Sequence, residues 1–252
     1  MAPIRLAILE TDTPLPQVDK AFNSTGYYGV FKSMFERAFA DSPTRLSSIL
    51  SLSRHTVVFS DISSYPSLDE VDAILITGSK HNAFDNDPWI LTLVEYTRKA
   101  LEQDRKVKVI GVCFGHQIVG RALGVHVDRS DNGWEISVTE MRLCEKGKEL
   151  FGKDTLKLQQ MHRDQVFSLP ATALPLAETS ICPNQGFLIP EKAITVQGHP
   201  EFTPTIMHEL LESRKEMGLF TPELFQSGME RNQQDDGLLV ARVFVKFLRG
   251  EV

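Results

Sequence analysis

The chain has 252 residues, of which 42% are hydrophobic and 24% are charged, and its formal net charge is −6. This length allows a substantial buried core. The acidic balance argues against nucleic acid or an anionic membrane surface as the main partner. No apolar stretch approaches the roughly 20 residues of a membrane-spanning helix, so we expect neither a nucleic-acid nor a membrane partner.

In the first half of the chain, short β-rich runs alternate with helical periodicity. Strands are predicted over residues 4–9 (IRLAIL), 55–60 (HTVVFS), 73–77 (AILIT) and 106–112 (KVKVIGV). Helices are predicted over residues 28–40, 87–103 and 115–123. Asp87 is the expected N-cap of the second helix, Pro88 its first residue, and Gly124 terminates the third.

From about residue 125 the pattern changes to short strands separated by turn residues, and it then returns to helices. The strands are expected at 135–143, 155–161, 174–179 and 193–198, and the helices at 204–218, 221–229 and 237–250. Residues 230–237 (ERNQQDDG) are expected to form an exposed loop. The order predicts an α/β fold with an open, mostly parallel central sheet, helices on both faces and a small mixed or antiparallel extension. No repeat or linker divides the chain, so one domain over 1–252 is predicted.

The three cysteines, Cys113, Cys144 and Cys182, are widely spaced and include no C-x-x-C pair. This usage argues against a disulfide framework or a structural zinc site, and it favours a reducing compartment. The N-terminal stretch MAPIRLAILETD contains too short an apolar run for a secretory signal. A cytoplasmic protein is therefore expected. The sequence contains neither a GxxxxGK[ST] nor a GxGxxG motif, and no metal or cofactor is expected.

Cys113 lies in the segment GVCFG, between a predicted strand and a predicted helix. A lone cysteine in an α/β protein is most often a small buried hydrophobe. Here, however, glycines two positions before and after the cysteine match the nucleophile elbow, a sharp strand-to-helix turn usually written G-x-S-x-G. Such a turn places the sulfur at a helix N-terminus, where free N–H groups favour a thiolate.

A nucleophilic cysteine needs a base, and the segment QGHPE offers one at His199. In an extended segment, His199 and Glu201 project to the same side because they are two residues apart. A carboxylate beside an imidazole fixes its tautomer and stabilises the imidazolium. The set Cys113, His199 and Glu201 is therefore predicted to be a catalytic triad. Metal ligation by the same three residues is the weaker interpretation.

The motifs GVCFGHQ and QGHPE together resemble those of class I, triad-type glutamine amidotransferases. The resemblance covers roughly residues 4–205, because AILITGSKHNAFD and QMHRDQV occupy the places of two further family segments. The motifs most resemble those of free-standing GMP-synthetase-like amidotransferases of fungi, and they also resemble those of plant γ-glutamyl peptidases. The resemblance implies a flavodoxin-like amidotransferase fold.

The resemblance also implies roles for individual residues. Cys113 would attack the γ-carboxamide of glutamine, His199 would protonate the departing ammonia, and Glu201 would orient His199. The implied oxyanion and substrate-binding residues are Gly78, Ser79, Phe114, Gln117, His162, Arg163 and Asp164. The chain departs from the family at two points: Ser79 replaces a glycine of the oxyanion turn, which leaves open which amide faces the oxyanion, and Arg163 replaces a small residue.

Three functions stay open at this point. The first is a glutaminase that forms a γ-glutamyl thioester on Cys113 and releases ammonia, either alone or to a separate ammonia-accepting synthase. The second is a γ-glutamyl peptidase that acts on peptides such as glutathione or its conjugates. The third is a catalytically quiet regulatory subunit, which the intact triad and Gln117 oppose. The rim of the pocket, at Lys80, Arg163 and residues 131–134, should distinguish the first two.

Overall fold

The computed structural model describes residues 2–103 and 107–252. Its strands are Ile4–Glu10 (β1), Leu50–Thr56 (β2), Ala73–Ile76 (β3), Lys108–Val112 (β4), Val127–Arg129 (β5), Glu135–Leu143 (β6), Thr155–His162 (β7), Asp164–Val166 (β8), Leu174–Pro175 (β9), Ala177–Glu178 (β10), Phe187–Ile189 (β11) and Ala193–Val196 (β12). Its α-helices are Pro16–Ala21 (α1), Gly26–Ala38 (α2), Pro88–Glu102 (α3), Phe114–Ala122 (α4), Glu145–Phe151 (α5), Pro204–Glu216 (α6), Pro222–Arg231 (α7) and Gly237–Arg249 (α8). None of the helices in these two ranges is long and apolar enough to cross a membrane.

The largest sheet of the described residues has seven strands in the order β2-β1-β3-β4-β12-β11-β9. The pairs from β2 to β12 are parallel, whereas β12–β11 and β11–β9 are antiparallel. The predicted α/β fold with a mostly parallel central sheet is thus confirmed. Buried parallel strands explain the nearly continuous apolar runs of the sequence.

Alternating side chains of the central strands divide the core into two layers. Leu6 and Ile8 of β1 pack on the side of α2 and α8, and Ala7 and Leu9 pack on the side of α3 and α4. The alternation follows from the two-residue period of a strand. Helices therefore cover both faces of the sheet, as predicted.

Two smaller antiparallel sheets form the predicted extension. One has the order β10-β6-β7, and the other pairs β5 with β8. Residue 135 of β6 lies directly opposite residue 162 of β7 in this register. The extension is joined to the end of β12 by a bridge in which His199 N–H donates to the carbonyl of Gln159 at 2.8 Å.

The strand predicted over residues 55–60 is wrong for most of its length, because β2 ends at Thr56. Beyond that residue the N–H groups of Val57 and Val58 both donate to the carbonyl of Glu10, where β1 also ends. Phe59 then has a positive φ of 53° and a 71% exposed side chain. The edge strand β2 is therefore formed by the more polar residues before Val57. Lys106, the first residue of the predicted strand 106–112, lies outside the described residues.

Candidate active site

Four adjacent parallel strands end at one edge of the central sheet, and each is followed by residues of the candidate site. Thr11 and Asp12 follow β1, the turn at Gly78 follows β3, Cys113 follows β4, and His199 lies three residues beyond the end of β12. In open α/β sheets, ligands bind at the carboxyl ends of the strands. The topology therefore brings together residues from four distant parts of the sequence.

The turn at Cys113 has the geometry of a nucleophile elbow. Cys113 has φ 51° and ψ −104°, an unusual conformation for a residue other than glycine, and it is the N-cap of α4. A Cβ atom on Gly111 would lie 2.6 Å from the carbonyl oxygen of Gly115, and one on Gly115 would lie 2.2 Å from that of Ile76. Both glycines are needed because strand and helix approach so closely at this point. Strained backbone conformations of this kind cluster at active sites and ligand-binding sites.

His199 is held between a carboxylate and the thiol. Its Nδ1 lies 2.8 Å from Oε1 of Glu201, so the N–H donates to the carboxylate. The ring of Phe202 stacks on the imidazole, with centroids 3.9 Å apart and an interplanar angle of 4°. Both His199 and Glu201 are almost fully buried. The contacts fix the ring orientation and leave Nε2 for the side of Cys113.

The electrostatic surroundings favour a charged imidazole at His199. Burial is the largest single influence and disfavours the imidazolium. The negative charges of Glu201 and Cys113, together with hydrogen bonds to both residues, outweigh it and raise the pKa of His199 to about 10. A protonated histidine beside a cysteine in turn stabilises the thiolate.

The turn after β3 is fastened by the end of β1. The hydroxyl of Thr11 donates to the carbonyl of Gly78 at 3.0 Å, and the Ser79 hydroxyl donates to the carbonyl of Thr11 at 2.9 Å. The carboxylate of Asp12 accepts both the backbone N–H and the ammonium group of Lys80, at 2.8 and 2.7 Å. Within the part of the chain that the structure describes, the N–H groups of Gly78 and Ser79 donate to no protein acceptor. They are available to a ligand.

Gln117 and the segment from His162 to Asp164 lie together on one side of the site. The Gln117 amide nitrogen donates to the carbonyl of Asp164 at 3.0 Å, and the Asp164 carboxylate accepts from Arg129 at 3.0 Å. Arg163 lies at the cavity with its Nε 3.3 Å from the carbonyl of Ser130. The Asp164 side chain is therefore already paired, which leaves mainly backbone groups of this segment for a substrate.

Both ring nitrogens of His162 are hydrogen-bonded within the protein. Its Nδ1 lies 3.1 Å from the carbonyl of Asp164, and its Nε2 lies 2.9 Å from the buried carboxylate of Glu135. Burial raises the pKa of Glu135, but hydrogen bonds from His162, Thr179 and Gln185 and the charge of His162 hold it below its usual range. This network anchors the backbone of the segment. Sequence reasoning missed Glu135, whose position opposite His162 depends on the register of β6 and β7.

Glu135, His162 and Cys182 are also the kinds of residues that bind metals, and their ligand atoms lie within 4.8 Å of one another. Glu135 and His162, however, are hydrogen-bonded to each other. Burial raises the pKa of Cys182 to about 12, which opposes the thiolate that a metal requires. The cluster is better explained as part of the packing beneath the site.

A cavity of about 430 Å³ opens above Cys113 and His199. All of the predicted site residues line it except Glu201, which lies behind His199, and Phe114. The Phe114 side chain instead stacks on Trp89, with centroids 5.7 Å apart, while its N–H lies in the first turn of α4. Trp134 and Lys80, which were expected at the rim of the pocket, also line the cavity. Sequence reasoning missed other lining residues: Asp12, Tyr27, Phe202, Leu210 and Arg214. For Asp12, the position just after a predicted parallel strand was an available signal.

Comparison with known proteins agrees with this architecture. The family model described as glutamine amidotransferase class-I matches residues 43–216. A glutamine amidotransferase-like protein of Schizosaccharomyces pombe is 32% identical over 247 residues, which cover 96% of this chain and 98% of that protein. Gamma-glutamyl peptidase 3 of Arabidopsis thaliana is 32% identical over 193 residues, which cover 73% of this chain and 76% of that protein.

The fold is also shared with a glutamine amidotransferase from Thermotoga maritima, with a TM-score of 0.70 at 19% identity over 98% of this chain and 99% of that one. The chain belongs to the class I glutamine amidotransferase family. Its relatives include proteins named as amidotransferases and proteins named as γ-glutamyl peptidases, so a general amidotransferase or hydrolase activity is supported.

Proposed function

We propose that this protein hydrolyses the γ-amide bond of glutamine, or of a γ-glutamyl compound, through a thioester on Cys113. The single observation that carries the proposal is the arrangement at His199. Its imidazole is hydrogen-bonded to the buried Glu201 carboxylate at 2.8 Å. Glu201 and Cys113 both raise the pKa of this imidazole. A histidine in this position can protonate a leaving amine and later deprotonate water.

The proposed reaction proceeds in two halves. The Cys113 thiolate attacks the γ-carbonyl carbon, and the carbon–nitrogen bond breaks as the His199 imidazolium gives its proton to the departing amine. A water molecule, deprotonated by His199, then attacks the γ-glutamyl thioester, which releases glutamate and returns the thiolate. Glu201 stays ionised and holds the imidazole throughout.

The oxyanion of each half-reaction needs hydrogen-bond donors. We assign them to the N–H of Phe114 and to the N–H groups of the Gly78–Ser79 turn. The absence of protein acceptors for the latter two among the described residues supports this assignment. Loss of one such donor typically lowers turnover by about 10²–10³-fold. Gln117 and the backbone around His162–Asp164 are proposed to hold the amino-acid end of the substrate.

Among these substrates, γ-glutamyl peptides are favoured over glutamine by the size of the cavity. The cavity volume of about 430 Å³ falls in the range of about 300–1,000 Å³ typical of pockets that bury drug-sized ligands, which are larger than glutamine. If glutamine is the substrate instead, a separate synthase would be needed to use the ammonia.

The test uses wild type, Cys113→Ala and the control Cys144→Ser, whose cysteine does not line the cavity. Each protein is incubated with glutamine and with γ-glutamyl dipeptides, and glutamate, ammonia and released amine are quantified. We expect the control to match wild type and Cys113→Ala to lose activity by about 10⁴-fold or more. Hydrolysis that survives in Cys113→Ala, or wild type inert on every substrate, would contradict the proposal; the second result would favour a regulatory subunit.

A further inference from the structure

Part of the cavity lining is used neither by the triad nor by the residues proposed to hold the amino-acid end of the substrate. We call this part the distal wall and define it by Tyr27, Leu210, Arg214, Met217 and Leu219. Phe202, stacked on His199, connects this wall to the catalytic histidine. Tyr27 belongs to the start of α2, and the other four residues belong to α6 and the turn that follows it.

The proposed reaction indicates which part of the substrate contacts the distal wall. A leaving amine must lie within hydrogen-bond reach of the group that protonates it, which here is His199. The ring of Phe202 lies on the imidazole of His199, and α6, which carries Leu210 and Arg214, begins two residues after Phe202. We therefore place the leaving group against the distal wall. Ammonia, the leaving group of glutamine, is too small to need such a wall.

Arg214 gives the distal wall an available positive charge. Its Nη1 contacts the sulfur of Met217 at 3.4 Å, and within residues 2–103 and 107–252 it has no carboxylate partner. Two other cations of the cavity are neutralised, since Lys80 pairs with Asp12 and Arg129 with Asp164. A guanidinium is well suited to bind a carboxylate through two parallel hydrogen bonds.

Tyr27 adds a polar group close to this charge. Tyr27 is 9% exposed and lines the cavity, and its hydroxyl has no protein hydrogen-bond partner among the described residues. Burial is the main cause that raises the pKa of Tyr27, and the charges of Asp12, Glu201 and Cys113 add to it, whereas Arg214 acts in the opposite direction. The hydroxyl thus stays neutral and lies near both Arg214 and the reacting groups.

Arg163 also lines the cavity without a carboxylate partner among the described residues. It lies in the segment assigned to the amino-acid end of the substrate. The cavity thus offers two arginines without carboxylate partners among the described residues, one in the segment assigned to the amino-acid end and one on the distal wall. A γ-glutamyl compound with a carboxylate at each end would match both.

We propose that Arg214, assisted by Tyr27, binds a carboxylate on the leaving amine, so that the preferred substrates are γ-glutamyl amino acids or peptides rather than glutamine. The proposal rests on the proposed function and names the substrate class of the same site. Loss of a charge-assisted hydrogen bond to a ligand typically costs about 10–100-fold in kcat/KM.

The experiment compares γ-glutamylglycine with γ-glutamylglycinamide, which has the same shape but no terminal carboxylate, and with glutamine. The proteins are wild type, Arg214→Gln and the control Lys215→Gln. Lys215 is the next residue of α6, and its ammonium lies over the Phe225 ring at 4.1 Å, outside the cavity. We expect Arg214→Gln to lower kcat/KM for γ-glutamylglycine by about 10–100-fold and to leave the two neutral substrates within about threefold. Lys215→Gln should match wild type.

A binding measurement distinguishes failure of this inference from failure of the proposed function. Calorimetry on Cys113→Ala should show tighter binding of γ-glutamylglycine than of γ-glutamylglycinamide, and adding Arg214→Gln should remove the difference. If that binding preference is present but wild type hydrolyses nothing, only the proposed function fails. If Arg214→Gln weakens all three substrates equally, or if wild type ignores the carboxylate in both assays, the role of Arg214 is overturned.

Discussion

Gly78 provides a direct test of where His199 lies. A Cβ atom at this position would be 2.5 Å from Cε1 and 3.3 Å from Nδ1 of His199, and 3.6 Å from Cβ of Cys113. Ordinary contact begins at 3.4 Å, so Gly78→Ala must displace the imidazole or the turn by about 0.9 Å. Its φ is not positive, so the backbone itself accepts alanine, and the contact alone is perturbed.

The expected effect on activity is large compared with the effect on stability. A displacement of about 1 Å in a catalytic group typically costs about 10²-fold in rate. Overpacking by one methyl costs about 1–3 kcal/mol in free energy of unfolding, and the neighbouring His199 is itself held by Glu201. We therefore expect Gly78→Ala to lower kcat/KM by about 100-fold while the protein still folds.

The assay measures kcat/KM for the best γ-glutamyl substrate, with thermal unfolding as a parallel readout. Gly152→Ala is the control, because its added methyl meets nothing within 4 Å and only the positive φ of 67° is strained. That variant should lose about 1 kcal/mol of stability and no activity. Activity of Gly78→Ala within threefold of wild type would refute the geometry described for His199.

Two further predictions follow from the pKa values. The charge of Glu201 helps to raise the pKa of His199 to about 10, so in Glu201→Gln the imidazolium should lose its proton at a lower pH. We expect kcat/KM to fall by about 10²–10⁴-fold and the alkaline limb of its pH profile to move to lower pH. An alkaline limb at the wild-type pH would count against this role of Glu201. Burial raises the pKa of Asp235 from 3.8 to about 6, although its carboxylate accepts from Gly237 N–H. Because the folded state binds this proton more tightly, wild type should lose about 1–2 kcal/mol relative to Asp235→Asn as the pH rises from about 4 through 6. Thermal unfolding at pH 4 and pH 7 checks this, and a constant difference would contradict it.

Local patterns were sufficient for the central elements of the fold. Apolar runs at residues 4–9 and 73–77 fall on buried parallel strands, and residues 135–143 match β6 at both ends. These predictions worked because burial on one or both faces of a strand leaves a signal within a few residues. The edge strand β2 had no such signal, since its residues alternate weakly and are mostly exposed.

Some segments were misjudged because their partners are distant. Residues 230–237 were expected to form an exposed loop, yet α7 extends through Arg231 and only residues 230, 233 and 234 are exposed. Asn232 donates to the carbonyl of Pro204, and the Asp236 carboxylate accepts from the backbone of Lys157. Polar composition alone cannot distinguish a solvated loop from one that satisfies buried backbone groups.

The sequence by itself determined the fold class and the three residues proposed for catalysis, because the elbow around Cys113 and the spacing of His199 and Glu201 are local features. Only the tertiary structure decided what surrounds them. Tyr27 and Arg214 come from helices that meet at the cavity only after α2 and α6 pack against the sheet, and Glu135 meets His162 only through strand register. Side chains that are far apart in the sequence show no spacing pattern that would predict their contact. The specificity of the site therefore depends on how the helices and strands pack.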